Sequence, residues 1–245
     1  MVEPVLAQAP ASPATRVSVT QPDFTIVALP TTLGVPRNRA AVRVTHRFSR
    51  SLGSEDLGSQ IGFELRYGIG HGTQVGIDRT SDRTIEIFLQ HEVKAQSDAF
   101  PFTISMLAVS EGTNEFRDSY SPAFGVVVSR SMGERAALYL EPIWVNNSNN
   151  LPAEVVRAND SVLLGLGARL RVRPTVYISV EGIPRVAGYA PQTTQVGIGI
   201  DKRFGGYSFQ LNLSNGVGTT FANIARGAAG TDDWFLGFGI SRKFF

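Results

Sequence analysis

From Ala40 onward the chain alternates between apolar and polar positions with a period of two. In QIGFELRYGIG, Ile61, Phe63, Leu65, Tyr67 and Ile69 share one face, and Gln60, Gly62, Glu64, Arg66 and Gly68 share the other. Successive side chains of a β-strand point to opposite faces, whereas a helix would scatter both sets around its circumference. The pattern returns as Val42, Val44 and Phe48 against Arg43 and Arg47, and as Ile85, Ile87 and Leu89 against Thr84, Glu86 and Gln90. It recurs as Val162, Leu164, Leu166, Ala168 and Leu170 against Gly165, Gly167, Arg169 and Arg171. Later come Val196, Ile198 and Ile200 against Gly197, Gly199 and Asp201, then Phe209, Leu211 and Leu213 against Gln210 and Asn212. Such segments predict an all-β fold of about twelve strands.

The connections between them alternate in length. Short turns are predicted at 70–72, 131–134, 173–174 and 204–206, with a slightly longer one around 96–98. Gly/Ser/Asn/Asp-rich loops are predicted at 49–59, 111–119, 146–160, 184–193 and 215–232, with the tight 79–83 as the exception. Short periplasmic turns and longer outer loops belong to a transmembrane antiparallel up-and-down β-barrel, whose even strand number leaves both termini in the periplasm. Closure follows, because an open sheet edge in hydrocarbon would leave backbone amides and carbonyls unpaired.

Alternation alone fits a soluble barrel or sandwich equally well, and two features favour the membrane. Gly62, Gly68, Gly76, Gly125, Gly165, Gly167, Gly197, Gly199, Gly237 and Gly239 collect on the polar face. Glycine weakens a solvated strand, but in a narrow lumen it leaves room for a neighbouring Arg or Glu to lie across the bore. The aromatics on the apolar face also sort by depth. Phe48, Tyr120, Trp144 and Trp234 fall at the outer ends, and Tyr67, Phe100, Phe204, Tyr207 and Phe244 at the periplasmic ends. Two aromatic girdles flanking an aliphatic band match a lipid slab, since amphipathic rings prefer its interfaces.

The residues that build this pattern include VTHRFSR, LRYGIGHGTQVGIDRTSDRTIEIFLQHEVKAQ and VGIGIDKRFGGYSFQLNLSNG with the closing GFGISRKFF. Over residues 40–245 the chain resembles an uncharacterised bacterial outer-membrane β-barrel family that carries only a domain-of-unknown-function label. The resemblance implies the barrel and the outer membrane, and brings no activity or site residues with it. Phe244 and Phe245 close a last strand that resembles the aromatic-terminated signal read by the barrel-insertion machinery, an expected partner during biogenesis beside outer-membrane lipids. Trp234, Leu236, Phe238 and Ile240 are in phase with Phe244, so either Phe245 overhangs or the strand carries a bulge.

Residues 1–39 are rich in Pro and Ala. Ala7-Gln8-Ala9 and Ala9-Pro10-Ala11 fit a signal-peptidase site, so this stretch is expected to be a signal-peptide remnant followed by a periplasmic lead-in. Composition adds exclusions. There are no cysteines, hence no disulfides or thiolate metal sites, and a net charge of +2 gives no argument for nucleic acid. No apolar run approaches the roughly 18–20 residues of a spanning helix.

Candidate chemistry is sparse. No nucleotide-binding loop is present, and the three histidines, His46, His71 and His91, do not make metal-ligand spacing, so neither cofactor nor metal is expected. His46 and His91 lie on the apolar face, where snorkelling to headgroups is the expected explanation. A lipid-active enzyme built on such a histidine and a lipid-facing serine is a minor alternative, and no catalytic residue is assigned. The lumen is more informative. Arg43, Arg47, Arg66, Arg169, Arg171 and Arg203 should face Glu64, Asp78, Glu86, Glu141, Glu181 and Asp201. In a porin such charges form a selective constriction; in a closed barrel they form an ion-pair network that fills the bore. The expected function is a narrow channel for small solutes or ions, with mild anion preference from Arg169 and Arg171. A non-conducting structural or partner-binding barrel is the alternative, and the sequence names no protein partner.

Overall fold

The computed structural model describes residues 19–48, 59–148, 159–189, 193–227 and 233–245. Its strands are β1 (Ala40–Phe48), β2 (Ser59–Gly70), β3 (Thr73–Thr80), β4 (Ile85–Lys94), β5 (Thr103–Thr113), β6 (Ser119–Met132) and β7 (Ala136–Val145). They continue as β8 (Ser161–Arg173), β9 (Val176–Ile183), β10 (Arg185–Gly188), β11 (Gln195–Phe204), β12 (Tyr207–Ser214) and β13 (Phe235–Lys243). Among the described residues one short helix, α1 (Phe221–Arg226), lies between β12 and β13.

All pairings between these strands are antiparallel and follow chain order. β9 and β10 both pair with β8 and are one stave interrupted at Pro184, which still accepts a hydrogen bond from the Leu164 amide through its carbonyl. The circuit therefore has twelve staves, and β1 closes it on β13 from Ala41↔Lys243 to Arg47↔Gly237.

The predicted face assignment holds around the wall. Phe63, Ile87, Leu166 and Ile200 are 45–54% exposed, whereas Arg66, Glu86, Arg169 and Asp201 are buried inside. This inverted arrangement is stable only where the outer face meets hydrocarbon, since an apolar band running around a whole barrel far exceeds the few hundred Å² that soluble proteins expose. The residues expected in the two girdles, from Tyr120 and Trp144 at one end to Phe204 and Phe244 at the other, all point outward.

Several boundaries differ from expectation. β5 runs to Thr113, so Glu111 is an inward-facing strand residue rather than part of a loop. In the stretch predicted as a loop at 184–193, Arg185–Gly188 continue the wall as β10, and residues 190–192 lie outside the described residues. β13 pairs without a register shift, so Phe245 overhangs, and it packs against Phe24, Leu33, Val35 and Ala41 inside the barrel end. The central parts of the loops predicted at 49–59 and 146–160 lie outside the described residues.

The largest difference concerns the predicted periplasmic lead-in. Residues 19–38 do not trail below the barrel. They enter the bore at the short-turn end, reverse near Val27 and Ala28, and return to the same end to begin β1. Phe24, Ile26, Val27 and Leu29 are at most 1% exposed. Part of the expected outer loop at 215–232 also folds inward, burying Phe221, Ala222, Ile224 and Ala225 of α1. The apolar core of this protein is thus inside the cylinder, where hairpin and helix meet the inner faces of Phe88, Leu107, Tyr139, Ile143 and Leu163.

Candidate functional site

The bore is built by the inward positions of the staves, and its polar side chains are engaged with the hairpin. A segment threaded through a barrel carries backbone amides and carbonyls that need partners once water is excluded. Here the wall supplies them from its side chains. Gln90 donates to Thr31 O at 2.8 Å, Gln74 donates to Leu33 O and accepts from the Val35 amide, and Ser208 donates to Pro22 O. Thr32 and Ser129 share a hydroxyl contact of 2.6 Å, and Tyr177 donates to Val19 O at 2.8 Å.

The tip of the hairpin is held by one carboxylate. Glu181 on β9 accepts from the amides of Val27 at 3.0 Å, Ala28 at 2.9 Å and Leu29 at 3.1 Å. On the other side of the turn, Arg169 donates to Thr25 O at 2.7 Å and to Ser179 at 2.9 Å, and pairs with Asp201 at 3.5 Å. Lower in the bore, Asp23 accepts from Ser241 at 2.8 Å and pairs with Lys243 at 3.5 Å.

Glycines make the space. A Cβ on Gly167 would lie 2.3 Å from Ile26, one on Gly165 2.8 Å from Leu29, and one on Gly197 3.2 Å from Val27. At Gly68 the hairpin's own carbonyls, from Val35 and Pro36, approach within 2.3 Å of where a Cβ would stand. The inward glycine pattern therefore accommodates the plug as well as charged neighbours such as Asp78 beside Gly62 and Arg47 beside Gly237.

From the other end, α1 is seated on acids. The amides of Phe221 and Ala222, in the first turn, donate to Glu86 at 3.0 Å and to Glu111 at 2.9 Å, satisfying donors that a helix start leaves open. Arg185 donates to the carbonyls of Ile224 and Ala225, capping the other end of the helix. Arg47 ties both inserts together: it donates to Gly216 O at 3.0 Å and Gly218 O at 2.9 Å, and its other nitrogen lies 3.5 Å from Val27 O.

Every charged residue predicted for the lumen faces inward, but the set does not form one constriction. Arg66 pairs with Glu64 and lies over the rings of Phe24 and Phe88 at 5.0 and 4.5 Å. Arg43 reaches toward Val27 O. Arg171 and Arg203 are half-buried near the short-turn rim, where Arg171 pairs with Glu134. Glu141 is fully buried, and neither of its oxygens finds a protein partner. Buried carboxylates at Asp23, Glu111 and elsewhere balance the arginines, so the Arg excess expected on the β7–β8 wall does not extend to the whole bore.

The sequence reading missed Glu111, Gln74, Gln90, Gln210, Asp23 and Lys243. The glutamines were visible as polar-face positions, but nothing in a single strand shows that their partner is another segment's backbone. Between hairpin and helix remains a cavity lined by Arg43, Glu64, Arg66, Asp78, Glu86 and Gln90, with about 30 Å³ for the centres of water molecules. That is room for about two waters, and the unbonded Arg66 Nη1 and Asp78 Oδ1 beside it are suited to them.

On the lipid side, His46 does not snorkel. It stacks on Phe238 at 5.0 Å with Phe48 against its edge, while His91 shares a hydrogen bond of 2.8 Å with Thr73. Among the described residues, no ion pair joins either imidazole to a carboxylate.

The sequence pattern of a family described as "Membrane bound beta barrel domain (DUF5777)" matches residues 23–244. No curated protein sequence matches the chain. Among solved structures, the chain is similar to the NanC porin, with 8% identity and a TM-score of 0.59 over 84% of this chain and all of that one. It is also similar to an outer membrane channel from Pseudomonas putida F1, with 12% identity and a TM-score of 0.55 over 86% of this chain and 97% of that one. Outer membrane phospholipase A from Escherichia coli shares 10% identity and a TM-score of 0.52 over 84% of this chain and 90% of that one. At these identities the likeness is one of fold.

Proposed function

The chain belongs to the DUF5777 family of membrane-bound β-barrel domains, and from that premise we propose that it is an outer-membrane channel for small solutes or ions, held closed by its own N-terminal hairpin. Its short turns and the start of β1 face the periplasm, in the arrangement that barrels of this type adopt. The observation that carries the reading is the path of residues 19–38. They enter and leave by the same end, so the hairpin can withdraw without unthreading any strand.

Two further features support a second, hydrated state. The hairpin is held by side chains of the wall rather than by a continuous sheet ladder, and withdrawal would expose Gln74, Gln90, Arg169, Glu181 and Gln210 as a polar bore. Glu141 is buried without a hydrogen-bond partner in the closed bore, a penalty of several kcal/mol for an ionised group that water in an open bore would relieve. Lipid hydrolysis is less well supported, because His46 is packed between the rings of Phe48 and Phe238 and the hydroxyl bonded to His91 is that of Thr73.

One observation favours a different reading. Ile26, Ala28 and Leu29 join α1 in a continuous apolar cluster, as in a permanently filled structural barrel. Planar-bilayer recordings of the purified full chain and of a variant lacking residues 1–38 separate the two. The channel reading expects a nearly silent full chain and a conducting variant. A folded variant that passes no current would leave a structural barrel.

A further inference from the structure

The outward face of the wall carries two groups of cations and aromatic rings at the short-turn end. In the first, Lys94, the last residue of β4, lies 6.0 Å from the ring of Phe100, and Arg130 near the end of β6 lies 5.9 Å from Phe102. The two rings are 6.1 Å apart, edge to face. In the second, Arg242 near the end of β13 lies 4.3 Å from Tyr207 and 5.6 Å from Phe244, and Tyr207 stacks on Phe204 at 5.8 Å. Lys202, two residues before Phe204 on β11, donates to Thr175 at 3.1 Å.

Register places all four cations on the lipid side, and it places Arg173, which pairs with Val176 at the end of β8, there as well. Lys94 pairs with Ile104, Arg130 with Leu138, Lys202 with Phe209 and Arg242 with Val42, each an outward position. Among the described residues none of the four has an ion pair, and the outward strand positions hold no carboxylate to provide one. The opposite end differs. There the outward strand cation is Arg79, and it is already bonded to Glu115 at 2.9 Å.

A snorkelling Lys or Arg with an interfacial ring needs only water at its tip. Unpaired cations at one level of one leaflet, three of them against aromatic rings, have a net field that favours anions at headgroup depth. Phosphate is the anion found there. We propose that these two groups of cations and rings bind anionic phospholipid of the periplasmic leaflet, with the headgroup phosphate between the paired cations and the acyl chains along the neighbouring aliphatic wall. The leaflet rests on the orientation given above; the choice of lipid charge does not depend on whether the barrel conducts.

The test is electron spin resonance of the full chain in phosphatidylcholine vesicles, using spin-labelled phosphatidylglycerol and phosphatidylcholine to obtain their relative association with the protein. A juxtamembrane cation contributes about a fivefold preference for an anionic lipid, so the wild type should select phosphatidylglycerol by about fivefold or more. Lys94→Gln/Arg130→Gln and Lys202→Gln/Arg242→Gln should each lose part of that selection, and the quadruple variant should lose most of it. Arg79→Gln should keep it. Equal association of the two lipids with the wild type, or undiminished selection in a folded quadruple variant, would overturn the proposal. Selection of lipopolysaccharide instead, through the same four cations, would overturn it too by placing this end in the outer leaflet.

Discussion

Glu181 is the strongest single hold on the hairpin, and removing it should unlatch the tip. In Glu181→Ala, the amides of Val27, Ala28 and Leu29 lose their shared acceptor inside a bore from which water is nearly excluded. An orphaned buried donor costs about 1–3 kcal/mol, and three that share one acceptor are not additive, so a loss of about 3–5 kcal/mol in docking is expected. At about 1.4 kcal/mol per tenfold, the fraction of time the tip spends undocked should rise between about a hundredfold and several thousandfold. The protein has no cysteines, so Ala28→Cys gives a clean reporter. Ala28 borders the cavity, which leaves room for the added sulfur, and its bond to Glu181 is made by the backbone. Maleimide labelling of Cys at that position in the folded barrel should accelerate by that factor in Glu181→Ala and by about tenfold in Glu181→Gln, which keeps one neutral acceptor. If both variants label within about threefold of the Ala28→Cys parent while the barrel stays folded, the hairpin is not latched by this carboxylate and the reasoning fails.

Other substitutions separate wall from plug. Leu166→Arg faces hydrocarbon near mid-strand and should destabilise the barrel by about 2–4 kcal/mol in a refolding titration. Gly167→Ser should leave that titration near wild type yet speed labelling at position 28, because its Cβ would lie 2.3 Å from Ile26; the opposite ranking would mean that the faces are inverted. Arg47→Ala removes the donor shared by Gly216 and Gly218, and amide hydrogen exchange at Ala222 should quicken by about tenfold, the worth of a charge-assisted hydrogen bond. Unchanged exchange there would show that Arg47 does not help to hold α1.

The wall was legible because a strand's two faces are written locally, as in Ile61 to Ile69 against Gln60 to Gly68. Closure, girdles and inward charges followed from that period and from the solvent on each side. The hairpin was not legible, because its proline-rich pattern is that of an irregular leader without strand alternation, and its partners are spread over β1, β3, β4, β6, β8, β9, β12 and β13. Gly165, Gly167 and Gly197 were the one sequence signal of it: they marked room in the bore without saying what fills it. Glu111 was misplaced because its segment, SEGT, is rich in turn-forming residues, although its parity with Leu107 and Val109 is that of the inner face. The balance of buried charge was unreadable for a related reason, since Asp23 enters the bore with the hairpin and Glu111 was assigned outside it.

The most direct test of a channel closed by its own hairpin is a reversible lock. The γ-oxygens of Thr32 and Ser129 are 2.6 Å apart, so Thr32→Cys/Ser129→Cys places two sulfurs within reach of a disulfide between hairpin and β6. In the Glu181→Ala background, the oxidised protein should be silent in a planar bilayer, and adding a reductant should restore current in the same membrane. Current that ignores the lock would show that ions pass by another route, and silence in both redox states of a folded barrel would contradict the channel itself.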